Sequence, residues 1–190
     1  MAEEGVVLAP YHSVGAALAS LSSGTVLADP EEINASLLSR LPEQITQLEL
    51  PNPIELMKAL KTPEEIELIS EAMLKDGVAL VRFFAWLDRN LGKEEMTEQS
   101  LADKLLYFRK SLPGYISLSF ETISAFGSNA ALPHYQPDKS GGAPIKDNGF
   151  LLIDSGAQFP EGTTDITRTK LIGEATDLMK EDYTLSLIHI

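Results

Sequence analysis

The sequence contains no cysteine. A disulfide framework, a zinc–thiolate site and a thiol nucleophile are therefore excluded. Any metal ion bound by this chain must be held by carboxylate, imidazole, carbonyl or water ligands. Such a donor set suits Mn, Mg, Ca, Co or Zn bound through oxygen and nitrogen.

Basic residues are also scarce: 15 lysines and arginines stand against 28 aspartates and glutamates, for a formal net charge of −13. A nucleic-acid partner would require a basic face, so the composition argues against one. No apolar run approaches the roughly 20 residues of a membrane-spanning helix. The N-terminal stretch MAEEGVVLAP lacks the basic and apolar regions of a signal peptide. We therefore expect a cytoplasmic protein with no membrane partner.

The first 50 residues have the pattern of α/β structure. Apolar positions recur at helical spacing over residues 11–21, and residues 25–28 and 46–50 have the composition of short strands. Asp29 followed by Pro30 predicts a helix that begins there. This segment is too short for a complete doubly wound domain. We expect residues 1–52 to be the C-terminal part of an α/β domain that ends at a proline-rich break.

Two amphipathic helices are predicted after that break. Thr62, Pro63 and Glu65 form a capping-box sequence that starts a helix over residues 62–90, and Thr97 starts a second one that ends near Leu112. Alternation over residues 115–123 predicts one half-buried strand, and residues 175–187 favour a further helix. Helices with one apolar face need a sheet to cover, so a mixed helix and strand fold is expected.

Residues 148–173 contain two apolar, β-branched runs separated by the turn sequence FPEG at 159–162. This pattern predicts a β-hairpin. If the turn centres on residues 160 and 161, Asp165 faces Gly156, and Asp154 lies one diagonal position away on the same face. A turn two residues tighter would pair Asp154 with Asp165 directly, whereas a one-residue slip would put them on opposite faces.

Two carboxylates on one sheet face beside apolar side chains are costly unless a cation compensates their charge. A divalent cation would do so. The alternatives are a solvated face, or a role for Asp154 in capping the turn beside Ser155 and Gly156. For an isolated pair of aspartates these alternatives are favoured, and the surrounding sequence changes that balance.

Several further motifs accompany the aspartate pair. They are Thr122-Ile-Ser with Gly127, His134-Tyr135, IDSGAQ at 153–158, GTTDITRT at 162–169, the run 54–66 and FFAWL at 83–87. Together these motifs resemble those of the pita-bread metallopeptidases. Within that group they are similar to the Xaa-Pro aminopeptidases (aminopeptidase P) of the multidomain, eukaryote-like branch. The resemblance covers roughly residues 50–184.

The resemblance implies a fold of the α/β class in the broad sense (α+β). Residues 53–190 would be the N-terminal part of a pita-bread (creatinase/aminopeptidase) catalytic domain, and residues 1–52 the end of a creatinase-like α/β middle domain. It also implies two divalent metal ions, usually Mn²⁺. Asp154 would chelate one ion, Asp165 would bridge both, and His134 would contact the substrate or steady the transition state.

The implied reaction is hydrolysis of the bond between an N-terminal residue and a penultimate proline, by a hydroxide activated between the two metal ions. The imidazole of His134 would hydrogen-bond the developing oxyanion. The family's remaining metal ligands, one histidine and two glutamates, are expected beyond residue 190. We therefore expect a fragment that is inactive alone, from a protein whose homodimerisation is left open. The alternatives are a prolidase-like dipeptidase of the same fold and a metal-free pita-bread module that binds peptides or proteins.

The last six residues, LSLIHI at 185–190, resemble the translation of a common sequencing-adapter sequence. Whether they are native is left open. We assign no role to His189.

Overall fold

The computed structural model describes residues 7–138 and 140–188. These residues form two compact units, one reaching to Lys61 and the other beginning at Thr62. The assignment of residues 1–52 to a separate creatinase-like domain stays a prediction.

The first unit contains short helices and a two-stranded parallel sheet. In chain order it has a 3₁₀ turn at Tyr11–Ser13, α1 at Val14–Ala19, β1 at Thr25–Ala28, α2 at Ala35–Leu38, β2 at Thr46–Glu49 and α3 at Pro53–Ala59. β1 and β2 pair with Thr25 opposite Thr46. Both predicted strands are confirmed.

The predicted helix start at Asp29 is wrong. α2 begins at Ala35, where the Asn34 side chain accepts a hydrogen bond from the backbone N–H of Ser36. The Asp29 carboxylate accepts hydrogen bonds from the backbone N–H groups of Glu31 and Asn52, each at 3.0 Å. A helix cap was expected, but the carboxylate holds a local turn through Glu31 and a residue 23 positions away, Asn52.

The second unit contains two helices followed by six strands and a last helix. These are α4 at Pro63–Asn90, α5 at Glu98–Lys110, β3 at Ser117–Leu118, β4 at Ile123–Phe126, a 3₁₀ turn at Gly127–Ala131, β5 at Gly149–Ser155, β6 at Ala157–Phe159, β7 at Gly162–Thr163, β8 at Ile166–Ile172 and α6 at Asp177–Ile188. The predicted capping box of α4 is confirmed: the Glu65 N–H donates to Thr62 Oγ1 at 3.2 Å, and the Thr62 N–H donates to Glu65 Oε2 at 2.7 Å.

The strands form two antiparallel sheets with the orders β3-β6-β7 and β4-β5-β8. The single strand predicted over residues 115–123 is therefore wrong. β3 and β4 belong to different sheets, and Ile116, which was expected to be buried, is 63% exposed. Between them, the Ser119 hydroxyl donates to the Thr164 carbonyl at 2.9 Å, which ties the break in this segment to the hairpin.

The predicted hairpin is confirmed, and it serves both sheets. β5 pairs with β8, with Ser155 opposite Ile166, while β6 pairs with β7, with Gln158 opposite Thr163. Both pairings share one register, centred on residues 160 and 161. The hairpin changes sheets where the strands are interrupted, at Gly156 on one arm and at residues 164–165 on the other.

The helices α4 and α5 cover both sheets on one side. The larger buried cluster joins α4 and α5 to the β4-β5-β8 sheet; it comprises Leu80, Phe83, Leu87, Met96, Leu101, Leu105, Phe126, Leu151, Ile153, Ile166 and Ile172. The smaller cluster packs Ala72 and Ala79 of α4 against Ala157 and Phe159 of β6, with Leu112. Within residues 7–138 and 140–188, no helix has the length and apolar character needed to cross a bilayer.

Candidate metal site

Asp154 lies near the end of β5, and Asp165 lies in the interruption between β7 and β8. Asp154 is opposite Thr167 in the β5–β8 ladder. The same register continued by one rung puts Gly156 opposite Asp165. This is the predicted register in which the turn centres on residues 160 and 161, so the aspartates are diagonal neighbours on one face. Diagonal neighbours in an antiparallel sheet are about 7–8 Å apart, which is within reach of two carboxylates around one small cation.

The face that carries both aspartates is open to solvent. Asp165 is exposed and Asp154 is half-buried, whereas Ile153 and Ile166 point to the opposite side and are buried. The apolar side chains that were expected beside the carboxylates include these two isoleucines, which lie on the other face. Burial of these neighbours therefore does not make a cation necessary to compensate the charge of the aspartates. The argument for a bound cation rests on the two carboxylates lying on the same face.

Thr167 holds the Asp154 carboxylate in place. Its hydroxyl donates a hydrogen bond to Asp154 Oδ1 at 2.7 Å across the ladder. This contact fixes the rotation of the carboxylate and leaves lone pairs on both of its oxygens, since each carboxylate oxygen accepts more than one bond. Asp154 therefore has a defined orientation before any ligand binds.

His134 lies in the loop after the 3₁₀ turn, is exposed, and has φ 57°. Among the described non-glycine residues it alone has a positive φ, a conformation that L residues adopt rarely and that costs about 1–3 kcal/mol. No described hydrogen bond or ion pair connects it with Asp154 or Asp165. The structure therefore brings the two aspartates together and leaves the assignment of His134 a prediction.

A buried carboxylate next to this loop explains how the backbone at His134 is held. Glu98, in the first turn of α5, is 0% exposed. It accepts hydrogen bonds from the Tyr135 hydroxyl at 2.7 Å, from Asn129 Nδ2 at 3.0 Å, and from the backbone N–H groups of Phe126 at 2.7 Å and Ala143 at 2.6 Å. The residue that follows His134 is thus anchored to a helix.

These hydrogen bonds decide the ionisation of the group. Burial alone would raise the pKa of Glu98, but the bonds from Phe126, Asn129, Tyr135 and Ala143 all favour the carboxylate, and the pKa is lowered on balance. The same contact, together with burial, raises the pKa of Tyr135 to about 12. Glu98 is therefore a charged acceptor and Tyr135 a neutral donor across the physiological range.

A second buried carboxylate lies behind the aspartates. Arg109 donates to Asp76 through Nε at 2.7 Å and through Nη2 at 2.9 Å, and both side chains are 0% exposed. The Thr164 hydroxyl donates to Asp76 Oδ2 at 2.6 Å and accepts from the Ala157 N–H at 2.9 Å. Thr164 directly precedes Asp165.

Four residues that hold the site together were not predicted from the sequence: Asp76, Glu98, Arg109 and Thr164. One of them was detectable, because Asp76 is a charged residue within the apolar stripe of α4, between Ala72 and Ala79. A carboxylate in such a stripe indicates a buried partner. The partners themselves are 33 and 88 positions away, so no local pattern identifies them.

The donors present fit part of a site for a divalent cation. Two carboxylates on one open face suit the oxygen-seeking ions that the absence of cysteine already favoured. No group of three or more histidine, aspartate or glutamate side chains suited to a metal ion occurs in the part of the chain that the structure describes. His189 lies outside the described residues. An ion held here would therefore need ligands in addition to Asp154 and Asp165.

Comparison with known proteins gives a consistent assignment. The sequence profile of metallopeptidase family M24 matches residues 67–189. The chain is 39% identical over 179 residues to the Xaa-Pro aminopeptidase ApepP of Drosophila melanogaster, covering 92% of this chain and 29% of that protein. It is 37% identical over 190 residues to Xaa-Pro aminopeptidase 1 of Dictyostelium discoideum, covering 95% of this chain and again 29% of the relative. The chain thus spans under a third of the length of these relatives.

The fold is similar to solved structures of the same family, which confirms part of a pita-bread domain. The X-prolyl aminopeptidase of Caenorhabditis elegans, described as a cytosolic enzyme with a di-nuclear active site, superposes with a TM-score of 0.77 at 34% identity, covering 89% of this chain and 29% of that one. The X-Pro aminopeptidase of Thermotoga maritima gives a TM-score of 0.63 at 27% identity, covering 86% and 44%. With a profile that spans more than half of its length, the chain belongs to metallopeptidase family M24.

Proposed function

We propose that this chain is part of a metal-dependent Xaa-Pro aminopeptidase, a hydrolase that removes an N-terminal residue preceding proline. Relatives that bear this name support the proposal. The observation that carries it is the placement of Asp154 and Asp165 as diagonal neighbours on one open face of the hairpin. That placement is what a shared cation requires of two ligands from different strands.

The proposed roles of the two aspartates are those that the resemblance to the Xaa-Pro aminopeptidases implies. Asp154, held by Thr167, would chelate one divalent ion, and Asp165 would bridge a pair of ions, most often Mn²⁺ in the proposed enzyme. Such ions, when bound, supply Lewis acidity and lower the pKa of a bound water. The description of the C. elegans enzyme as having a di-nuclear active site supports a pair of ions.

His134 is proposed to donate a hydrogen bond to the oxygen of the peptide carbonyl as negative charge develops there. Its positive φ and the anchoring of its neighbour Tyr135 to Glu98 support a loop with one held conformation. A loop with a held backbone costs less entropy to align with a substrate than a mobile one. The substrate would be a peptide with penultimate proline. A cytoplasmic location is proposed by analogy with the C. elegans enzyme, which is described as cytosolic.

Activity of the 190 residues alone is not expected, because two carboxylates are only part of the proposed ligand set. With added Mn²⁺, the chain should release no N-terminal residue from an Xaa-Pro peptide. Release at a measurable rate would contradict the proposed incompleteness of the site.

Metal binding at the two aspartates can be tested directly. Substoichiometric Mn²⁺ added to ¹⁵N-labelled chain should broaden the amide signals nearest the ion, those of residues 153–155 and 165–167, before any others. Asp154→Asn or Asp165→Asn should remove this selective broadening, since each removes half of the anionic donor set. Asp103→Asn on α5, which makes the same charge change at an exposed position, should leave it intact.

The outcomes separate the alternatives. Broadening that survives Asp165→Asn would contradict the assigned metal site. The metal-free binding module would bind no Mn²⁺ even in the longer protein, where the aminopeptidase would have its remaining ligands. A prolidase-like dipeptidase would also bind Mn²⁺ here. It would differ in the longer protein, where only an aminopeptidase would cleave tripeptides and longer substrates.

A further inference from the structure

The buried pair of Asp76 and Arg109 is a poor stabiliser by itself. Taking two charges out of water costs several kcal/mol per ion, and apolar residues of similar volume often serve folding equally well. Within the described residues, the buried Nη1 of Arg109 also has no hydrogen-bond partner, which adds a further cost. The contact that gives the pair a specific consequence is the third one, from Thr164.

The Thr164 hydroxyl both donates and accepts a hydrogen bond. It donates its proton to Asp76 Oδ2 at 2.6 Å, so its lone pair is directed to the Ala157 N–H at 2.9 Å. The Thr164 N–H also donates to the Ala157 carbonyl at 2.9 Å. Ala157 follows Gly156, and Thr164 precedes Asp165. These bonds therefore fix the pairing of Ala157 with Thr164, which is adjacent to the pair formed by Gly156 and Asp165.

The strand ladders do not fix this rung by themselves. Regular pairing of β5 with β8 stops at Ser155 and Ile166, and pairing of β6 with β7 starts at Gln158 and Thr163. Asp165 thus lies where the hairpin leaves one sheet for the other. Side chains alternate along extended chain, so a Thr164 side chain held inward directs Asp165 outward. Thr164 is 0% exposed and Asp165 is exposed, as this alternation requires.

We propose that Asp76 and Arg109, acting through Thr164, are positioning residues for Asp165: they fix the backbone at the sheet junction so that the Asp165 carboxylate faces the Asp154 side. This inference rests on the proposed metal site for its consequence, and on the hydrogen-bond network alone for its geometry. Groups that orient metal ligands typically change metal affinity by about 10- to 100-fold when they are removed.

Thr164→Val tests the proposal, because it keeps the shape of the side chain and removes both hydrogen bonds. In the chain without metal, the Ala157 amide should lose hydrogen-exchange protection and the Asp165 amide should gain mobility. The Mn²⁺ concentration that half-broadens the residue 165–167 signals should rise by about 10-fold or more. Thr164→Ser, which retains the hydroxyl, should restore both properties. Thr163→Val is the matched control, since Thr163 is exposed and its hydroxyl donates to the Gln158 side chain at 2.7 Å, away from Asp76.

A merely structural role would lower protection throughout α4 and α5 and leave Asp165 no more mobile than its neighbours. That result, or a Thr164→Val variant that matches Thr163→Val in the Ala157 and Asp165 measurements, would overturn the positioning role. If the unaltered chain shows no selective Mn²⁺ broadening while Thr164→Val still frees Asp165, the metal site fails and the positioning role stands. A second variant pair, Asp76→Leu with Arg109→Met, should retain helix protection and reproduce the Thr164→Val effect.

Discussion

At the scale of single residues, two buried carboxylates organise the chain around the candidate site. Glu98 holds the loop that carries His134, and Asp76 holds Thr164 next to Asp165. Both are fully buried, and both receive hydrogen bonds from residues distant in sequence. Their importance lies in the groups that they hold, because a buried charge stabilises a fold only when its bonds are all in place.

Replacing Glu98 by glutamine should release this loop. The amide that replaces one oxygen is a donor and would face other donors, so one or more buried N–H or O–H groups would lose an acceptor. Bonds to charged groups contribute about 1.5–3 kcal/mol each. The free energy of local opening at the Phe126 and Ala143 amides, measured by hydrogen exchange, should therefore fall by about 2–3 kcal/mol near neutral pH. Glu95→Gln at an exposed position nearby should leave these amides unchanged.

The pH dependence of that protection has a definite sign. The pKa of Glu98 is lowered from 4.5, so its stabilising effect is complete above that value and is lost as the pH falls through the lower folded-state pKa. Protection of the Ala143 amide should decline over that acidic window in the unaltered chain and show no such decline in the Glu98→Gln variant. Equal acid sensitivity in both proteins would exclude Glu98 as the responsible group.

At the scale of elements, the hairpin is one ribbon that serves two sheets, and Gly156 is where its first arm changes partner. A Cβ at this position would collide with the Thr164 carbonyl and the Ser119 hydroxyl. The close approach, rather than an unusual backbone angle, is what requires glycine here. Position 156 is therefore intolerant of any side chain.

Gly156→Ala should separate the strands at the junction, because the backbone carbonyl of Thr164 cannot move aside as a flexible side chain would. Overpacking of this kind typically costs about 1–3 kcal/mol. Hydrogen exchange should show faster opening at Ser119 and Thr164, whose N–H groups bond across the junction. Gly77→Ala in α4 is the control, since an added Cβ there meets nothing within 4 Å and should stabilise the helix by about 0.5–1 kcal/mol. Equal protection in the two variants would contradict this reading of the junction.

The elements that the sequence predicted well are those fixed by local chemistry. α4 and α5 follow from their caps and apolar spacing, and the hairpin follows from its turn sequence. The sequence left two registers open, and the structure has the one centred on residues 160 and 161. The failures depended on distant partners. Asp29 is held by Asn52 instead of capping a helix, and the segment at 115–123 divides because its two ends pair with different sheets. The aspartate pair was predictable for the same local reason as the hairpin, whereas the partners of Asp76 and Glu98 were not.

At the scale of the whole molecule, α4 has a second apolar stripe that faces away from both sheets. Leu74 and Val81 are each 71% exposed and Ile66 is 54% exposed. A surface helix of a complete globular domain normally presents polar residues on its solvent-exposed face. The stripe, together with the small share of each relative that this chain covers, indicates a fold with part of its apolar surface uncovered.

The isolated chain should therefore unfold without a sharp transition. Thermal unfolding followed by far-UV and near-UV circular dichroism should give broad curves that do not coincide, and a hydrophobic dye such as ANS should bind at 25 °C. The physical reason is that the buried clusters are small relative to the ordered chain. A single steep transition seen by both probes, with no dye binding, would contradict this expectation.

The length of α4 has a mechanical consequence. Its 28 residues span about 42 Å at the usual helical rise, with Ala72 packed over the β6 side of the hairpin and Phe83 and Leu87 packed over the β5–β8 side. The helix therefore packs across the junction between the two sheets and holds them in a fixed arrangement. A change in the angle between the two sheets would require buried side chains of α4 to slide over one sheet or the other. Because Asp165 lies at that junction, any ligand that it shares with Asp154 would bind to a backbone that α4 already holds rigid from the opposite side of the sheets.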